Sequence, residues 1–239
     1  LWRVVTPRLS NKATKVQNSA SQLEVWQGLQ IDNSKNRDWE DIATDDGKIF
    51  IADMGNNGNR RKNMGVYIFE EPNPFQDQVV KSSTFIPIRY PDQEQFPAQQ
   101  WHFDNEAFFI DRGKMYFLTK HRSRPYSFTM AAGSKLYRLD SLDTESDNTL
   151  TLISRHPELK AATGADLSPN GNYLAVLTYS EIWIFERPKN GSDDWFSGKA
   201  KTIPITLKQT EAIAWIDNER LIFCNEQREV FELFLGGFL

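Results

Sequence analysis

The stretch that decides the fold is Trp39-Glu40-Asp41-Ile42-Ala43, followed by Thr44-Asp45-Asp46-Gly47-Lys48 and then by Ile49-Phe50-Ile51-Ala52-Asp53. Two segments of strand length flank an Asp-Gly pair, and Asp-Gly between such segments is typical of a β-hairpin turn. The stretch therefore predicts two antiparallel strands, with acidic residues where the first strand begins and where the second one ends.

The same pattern recurs three more times along the chain. The later copies are centred on the turns Asp111-Arg112-Gly113, Pro169-Asn170-Gly171 and Asp217-Asn218. A third alternating segment follows each hairpin, and a fourth follows the first three hairpins, near residues 84–88, 149–153 and 201–205. Pro87 and Pro204 lie inside two of these fourth strands, and proline favours an edge position in a sheet. Four-stranded units that end in an edge strand are typical of the blades of a β-propeller.

The blade count and the closure of the ring follow from the two ends of the chain. Four blades are recognisable, and the last one lacks its fourth strand. A strand-like segment at residues 23–30 has no partner in this scheme, so we expect this N-terminal strand to complete the last blade. The alternatives are a fifth blade within residues 1–38, with residues 1–5 as one of its strands, and an irregular all-β sandwich. We expect residues 1–239 to form a single all-β domain.

Composition and charge exclude several classes of function. The 28 Lys and Arg residues are outnumbered by 32 Asp and Glu residues, so the basic surface that duplex nucleic acid requires is missing. The longest apolar runs have the length of a strand, so no membrane span is expected. The single cysteine, Cys224, excludes an internal disulfide, and the three histidines do not form a spaced ligand set for zinc.

The first residue and the scarcity of cysteine bear on the compartment. The sequence begins at Leu1 without an initiator Met, which predicts that a leader has been removed. The near absence of cysteine suits either the cytosol or an exported bacterial protein without disulfides. We expect an exported protein, periplasmic or secreted.

Several motifs carry a family resemblance. They are Trp39-Glu40-Asp41-Ile42-Ala43, then Asp53-Met54-Gly55-Asn56-Asn57 with Arg60 and Arg61, and then Glu71-Pro72. With them the chain resembles a family of bacterial β-propeller proteins over residues 36–234. That family is loosely similar to phytase-like, esterase-like and lactonase propellers, some of which hold a divalent cation in the central channel. The resemblance implies a propeller fold, and a fold by itself does not carry a function.

The hairpin geometry predicts where the polar residues meet. In an antiparallel hairpin the start of the first strand lies beside the end of the second strand, so these ends should converge at the mouth of the channel. Glu40, Glu106 and Glu211 hold equivalent positions in three blades, and Ala165 takes that position in the remaining blade. The residues predicted to form the ligand-binding mouth are Glu40, Asp41, Asp53, Asn56, Asn57, Arg60, Glu106, Lys120, Tyr179, Glu211 and Glu226.

The converging glutamates allow three interpretations. In the first interpretation, each glutamate accepts hydrogen bonds from backbone N–H groups of the next blade, because buried polar groups need partners. Alternatively, Glu40, Glu106 and Glu211 are metal ligands, and such oxygen donors suit Ca²⁺ or Mg²⁺. A third interpretation assigns general acid or base catalysis to Glu40, Asp41 or Glu106. Without a cation, clustered carboxyls hold protons, because like charges raise one another's pKa.

The aromatic residues and His121 allow a functional and a structural interpretation. Trp39, Trp183 and Trp215 are expected in blade cores. Trp101 and Trp195 lie in polar stretches and are candidates for a sugar or peptide contact. His121 is expected to be a solvated loop residue.

Two functions from different classes remain open. The first is a module that binds a small molecule or a protein at the channel mouth. The second is a hydrolase of phosphoesters, esters or lactones that depends on a divalent cation, with Ca²⁺ as its cofactor. A plugged channel would indicate a third role, as a scaffold. The motifs typical of serine hydrolases, P-loop proteins and zincins do not occur in the sequence.

Overall fold

Four small antiparallel sheets are arranged as the blades of a four-bladed β-propeller in the computed structural model. The structure describes residues 14–15, 29–73, 76–77, 79–125, 127 and 129–239. Two short strands near the N-terminus are β1 (Thr14–Lys15) and β2 (Gln30–Ile31). The first blade contains β3 (Asp41–Asp45), β4 (Lys48–Asp53), β5 (Met64–Glu70) and β7 (Thr84–Arg89). Between its last two strands, β6 (Val79–Val80) pairs in parallel with β2.

The second and third blades repeat the same order of strands. The second blade contains β8 (Asp104–Asp111), β9 (Lys114–Lys120), β10 (Ala132–Leu139) and β12 (Thr151–Lys160). Before its last strand, β11 (Asn148–Thr149) leaves the second blade and pairs in parallel with β7 of the first. The third blade contains β13 (Ala162–Leu167), β14 (Tyr173–Thr178), β15 (Glu181–Glu186) and β16 (Ala200–Pro204), with a 3₁₀ turn at Trp195–Ser197.

The fourth blade is completed from the N-terminal side of the chain. It contains β17 (Thr210–Trp215), β18 (Arg220–Asn225) and β19 (Val230–Phe234), and β1 pairs with β19 as its fourth strand. Closure by the N-terminal side is therefore confirmed, but the segment predicted for it was wrong. Gln30, at the end of the predicted segment, pairs with Val79 of β6 in a separate two-stranded sheet. The rest of that segment, residues 23–28, and the strand predicted at residues 1–5 lie outside the described residues.

The predicted alternation of side chains along each strand builds the core between blades. On β8 the successive side chains of Phe108 and Phe109 point to opposite faces, and both are buried. Phe108 packs with side chains of the first blade, such as Phe50, whereas Phe109 packs with side chains of the third blade, such as Val176. A third cluster joins the third and fourth blades around Leu177 and its neighbours. The second and third blades are thus held by apolar contacts on both faces of their strands, as in a sandwich.

Two aspartates make the hydrogen bonds between blades that we expected of the glutamates. Asp41 accepts a hydrogen bond from the backbone N–H of Phe108 in the second blade, at 2.9 Å. Asp166 accepts one from the N–H of Trp215 in the fourth blade, at 2.7 Å. In both aspartates the other carboxylate oxygen accepts from the N–H of the following residue, at 2.9 Å. The residue after the glutamate position therefore accepts the hydrogen bond between blades. The carboxyl groups of the glutamates are available for another interaction.

No helix in the described part of the chain is long and apolar enough to cross a membrane.

Candidate functional site

A cavity of about 610 Å³ lies where the inner strands of the four blades converge. The hairpin pairing places it there, because Asp104 at the start of β8 pairs with Lys120 at the end of β9, and Thr210 pairs with Asn225 in the same way. We call this space the mouth cavity. It is lined by Trp39, Glu40, Asn57, Glu106, Lys120, Arg122, Met130, Thr163, Tyr179, Gln209, Glu211 and Glu226.

The structure brings together most of the residues that the sequence assigned to the mouth. Those that line the cavity are Glu40, Asn57, Glu106, Lys120, Tyr179, Glu211 and Glu226. They come from all four blades, although the first and the last of them are 186 positions apart in the sequence. The convergence follows from the repeat, because each residue lies at the same end of its hairpin.

A buried ion pair joins Lys120 to Glu106 on one side of the mouth cavity. Lys120 is 3% exposed and Glu106 is 6% exposed. Burial and the neighbouring Asp104 raise the pKa of Glu106 to about 7, although Lys120 opposes this shift. Burial alone would lower the pKa of Lys120, but Glu106 and Asp104 outweigh it and raise that pKa above its usual value. Lys120 therefore stays charged and is fully engaged by Glu106.

Glu40 lies in the same cavity, but among the described residues it has no ion-pair partner. Burial, together with the negative charges of Glu106, Asp104 and Asp38, raises its pKa to about 9. Its carboxylate packs against the backbone of Gly55, where any side chain would collide with it. Glycine at position 55 thus keeps the space that this carboxyl group occupies. At neutral pH Glu40 holds a proton that a cation in the cavity would displace.

A second pair of carboxyl groups lies on the fourth blade. Burial raises the pKa of Glu211, and the neighbouring Glu226 adds to the shift, while Lys120 opposes it. The hydroxyl of Tyr179 acts in the opposite direction and lowers the pKa of Glu211. The face of the Tyr179 ring lies 5.6 Å from the Lys120 ammonium. The cavity therefore combines several carboxyl groups with an aromatic wall.

Four predicted mouth residues have other positions. Asp41 links blades, as described above, and the side chain of Arg60 is exposed to solvent. Asp53 is completely buried and pairs with Arg61 at 2.9 Å. The side-chain oxygen of Asn56 accepts from the N–H groups of Arg60 and Arg61, both at 2.9 Å. The Gly55–Asn59 loop, residues 55–59, is thus held by its own side chains.

Sequence reasoning missed five residues of the lining. Trp39 packs against the apolar cluster of the first blade, as expected, but it is only half-buried and also lines the cavity. Its Nε1 has no hydrogen-bond partner among the described residues. Arg122 donates to the side-chain oxygen of Asn57 and lies 3.6 Å from Asp104. Its position two residues after Lys120 was a usable signal, because alternate residues of an extended segment share a face. Met130, Thr163 and Gln209 complete this group.

The two loop tryptophans and His121 were predicted wrongly. Trp195 is fully buried, with the guanidinium of Arg187 4.6 Å from its ring, and Trp101 is 7% exposed. His121 is buried as well, against the ring of His102. All three are covered in the fold although their stretches of sequence are polar, so local composition was a poor guide to exposure.

The described residues contain no group of three or more His, Cys, Asp or Glu side chains arranged to hold a metal ion. Glu106, one of the three predicted calcium ligands, is already paired with Lys120. A calcium ion bridging Glu40, Glu106 and Glu211 would have to compete with that ammonium group. The calcium site stays a prediction, and its test is given below.

No family model and no curated protein matches the chain. Among solved structures, it is similar to Sqt1 of Chaetomium thermophilum, whose crystal structure was determined bound to the N-terminus of the ribosomal protein L10. The identity is 12%, the alignment covers 80% of this chain and 44% of that chain, and the TM-score is 0.41. The chain is also similar to the major Malassezia sympodialis allergen Mala s 1, at 17% identity and a TM-score of 0.45. That alignment covers 83% of this chain and 62% of the allergen chain. It spans less than two thirds of either structure.

Proposed function

We propose that this protein is a binding module whose mouth cavity holds the cationic side chain of a lysine or an arginine presented by a peptide segment. The observation that carries the proposal is the unpaired carboxyl group of Glu40, with its pKa near 9, inside a cavity that also contains Glu211 and Glu226. A buried carboxyl group gains most from a ligand that supplies the missing positive charge. An amine or a guanidinium is such a group.

The charges around the cavity favour a cation over an anion. Four glutamates line it, at positions 40, 106, 211 and 226, against the two cations Lys120 and Arg122. Both cations already have acidic neighbours, Glu106 for the first and Asp104 for the second. The remaining carboxyl groups therefore have no cation of their own. A cationic ligand that displaces the proton of Glu40 would form an ion pair there, which is stronger in a partly dry site than in water.

The aromatic wall supports a peptide as the carrier of that cation. Trp39 and Tyr179 line the cavity, and aromatic faces attract ammonium and guanidinium groups. The Trp39 Nε1–H group is a donor without an acceptor in the described part of the chain. A peptide carbonyl group next to the cationic side chain would supply that acceptor, because buried donors need partners.

Calorimetry with blocked amino acids tests the proposal. We expect N-acetyl-lysine amide and N-acetyl-arginine amide to bind, and the uncharged N-acetyl-norleucine amide to bind at least about tenfold more weakly, since the loss of one charge contact costs about 1–2 kcal/mol. Binding should release a proton from Glu40, so the measured heat should vary with the ionisation enthalpy of the buffer. Equal binding of all three compounds would refute the proposal.

A pair of variants locates the binding. Glu211→Gln should weaken binding of the lysine compound about tenfold, because it removes a carboxyl group from the cavity. Glu71→Gln is the matched control, since Glu71 is exposed and lies outside the mouth cavity. The same affinity in both variants would place the bound compound elsewhere on the protein.

Calcium is the competing occupant of the cavity. Chelator-treated protein should be titrated with calcium alone, in parallel with Glu40→Gln and Glu106→Gln. Calcium binding that both substitutions abolish would favour the expected cation-dependent hydrolase and would justify a screen of phosphoester and lactone substrates. Our proposal expects no such binding, because Lys120 neutralises Glu106.

A further inference from the structure

All three histidines of the protein line one cavity, although they are widely separated in sequence. This second cavity has a volume of about 620 Å³ and lies on the second blade, away from the residues of the mouth cavity. It is lined by residues of β10, of β12, of the loop before β8 and of the segment after β9. The lining residues used below are His102, His121, Ser134, Lys135, Arg155 and Asp92.

Two of the histidines form a stacked pair of neutral rings. The rings of His102 and His121 lie 4.0 Å apart and are almost parallel. Thr119 Oγ1 accepts from the N–H of Lys135 at 3.0 Å and shares a hydrogen bond with His121 Nε2, also at 3.0 Å. The other ring nitrogen of His121, Nδ1, lies beside Gly133. Burial lowers the pKa of both histidines, and Lys135 contributes to both shifts.

Two cations face this pair with one carboxylate between them. Lys135 and Arg155 are direct cross-strand partners on β10 and β12. Asp92 accepts from Lys135 Nζ at 2.8 Å and from the hydroxyl of Tyr137 at 2.7 Å, whereas Arg155 lies 3.8 Å away. The Arg155 side chain is 61% exposed, so its donor groups can turn into the cavity. Glu94, the other acidic residue of the lining, is exposed to solvent.

An unsatisfied hydroxyl group completes the lining. Ser134 is fully buried, and its Oγ has no hydrogen-bond partner among the described residues. A buried hydroxyl without a partner is costly, so such a group points to a ligand that supplies one. Ser134 lies directly across from His156 in the pairing of β10 with β12.

We infer that this cavity is a second binding site, which takes an oxyanion: a carboxylate or phosphate group held by Arg155, the two stacked histidines and Ser134. The donor set decides the class, because a guanidinium, imidazole N–H groups and a hydroxyl group all donate to oxygen. The cations Lys135 and Arg155 balance the carboxylates Asp92 and Glu94 in this lining, so the cavity lacks the acidic excess of the mouth cavity. The inference does not depend on the proposed function.

Histidine NMR tests this site in isolation, because every histidine signal of the chain arises from this cavity. The protein is labelled with ¹⁵N-histidine and titrated with inorganic phosphate and, separately, with acetate, against chloride at matched ionic strength. We expect saturable shifts of the His102 and His121 ring signals toward the protonated form, since a bound anion stabilises an imidazolium. Saturation with only one of the two anions identifies the source of the oxyanion. No saturable change with either anion would overturn the inference.

Variants separate this site from a general surface effect. Arg155→Gln should weaken anion binding about tenfold, because a charge-assisted contact is lost, and its exposed side chain makes the change harmless to the fold. Lys189→Gln is the matched control, since Lys189 is exposed and lies outside the cavity. Equal weakening in both variants would refute the site. Binding of N-acetyl-lysine amide at the mouth cavity should be the same in wild type and both variants, so the two proposals can fail separately.

Discussion

Asp111→Asn is expected to lower the free energy of unfolding by about 3 kcal/mol, the largest loss we predict for a single polar substitution in this chain. Asp111 is 4% exposed and accepts from both terminal nitrogens of Arg187, at 2.9 and 2.8 Å. It also accepts from Trp195 Nε1 at 3.2 Å. An asparagine would turn an N–H₂ group toward these donors and would leave the Arg187 charge without its partner. Urea unfolding measures the change.

Asp193→Asn is the matched control for this prediction. Asp193 also joins the second and third blades, through Lys114 at 3.3 Å and through Arg138, but its side chain is 31% exposed. Exposed ion pairs contribute little, so the control should lose no more than about 1 kcal/mol. Equal losses in the two variants would show that the buried pair has no special role in joining the blades.

Glu40→Gln is expected to stabilise the protein by about 2 kcal/mol at pH 7. The pKa of Glu40 rises from 4.5 to about 9 on folding, chiefly because the group is buried. A raised pKa means that the folded chain binds the proton more tightly than the unfolded chain does. Its contribution to stability is therefore present below pH 4.5 and is lost as the pH rises toward 9. Glutamine does not titrate, so the variant does not lose this stability as the pH rises.

The pH dependence of urea unfolding distinguishes this cause from a simple packing change. The difference in stability between Glu40→Gln and wild type should grow steadily between about pH 5 and pH 9. Glu71→Gln, at an exposed position, should follow the wild-type profile throughout. A stability difference that does not change with pH would mean that Glu40 is not protonated in the folded protein.

The repeat explains why most of the fold and most of the mouth could be predicted. Turns were predicted at both Asp46-Gly47 and Arg112-Gly113, and both residues of each pair have positive φ, as in a tight hairpin turn. Once each hairpin is known, the ends of its strands must lie side by side. Glu40, Glu106 and Glu211 therefore meet at one cavity by symmetry alone.

The second cavity could not be predicted, because nothing in the repeat relates its residues. His102 lies in a loop, His121 follows a strand, and His156 lies on the outermost strand of the same blade. Their meeting depends on how the loop at residues 90–103 lies over that blade. The same holds for Asp111, whose partners Arg187 and Trp195 lie 76 and 84 positions away in sequence.

The sequence by itself determined the strands, their turns, the grouping into four blades and the end of the ring where polar residues collect. These features depend on local alternation and on turn chemistry, which act between neighbours in the chain. The tertiary structure alone decided that Asp41 and Asp166 link blades, that Lys120 neutralises Glu106, and that the N-terminal strand closing the ring is Thr14–Lys15. Each of these depends on which groups face each other between blades, and on whether burial leaves a charge with a partner or without one.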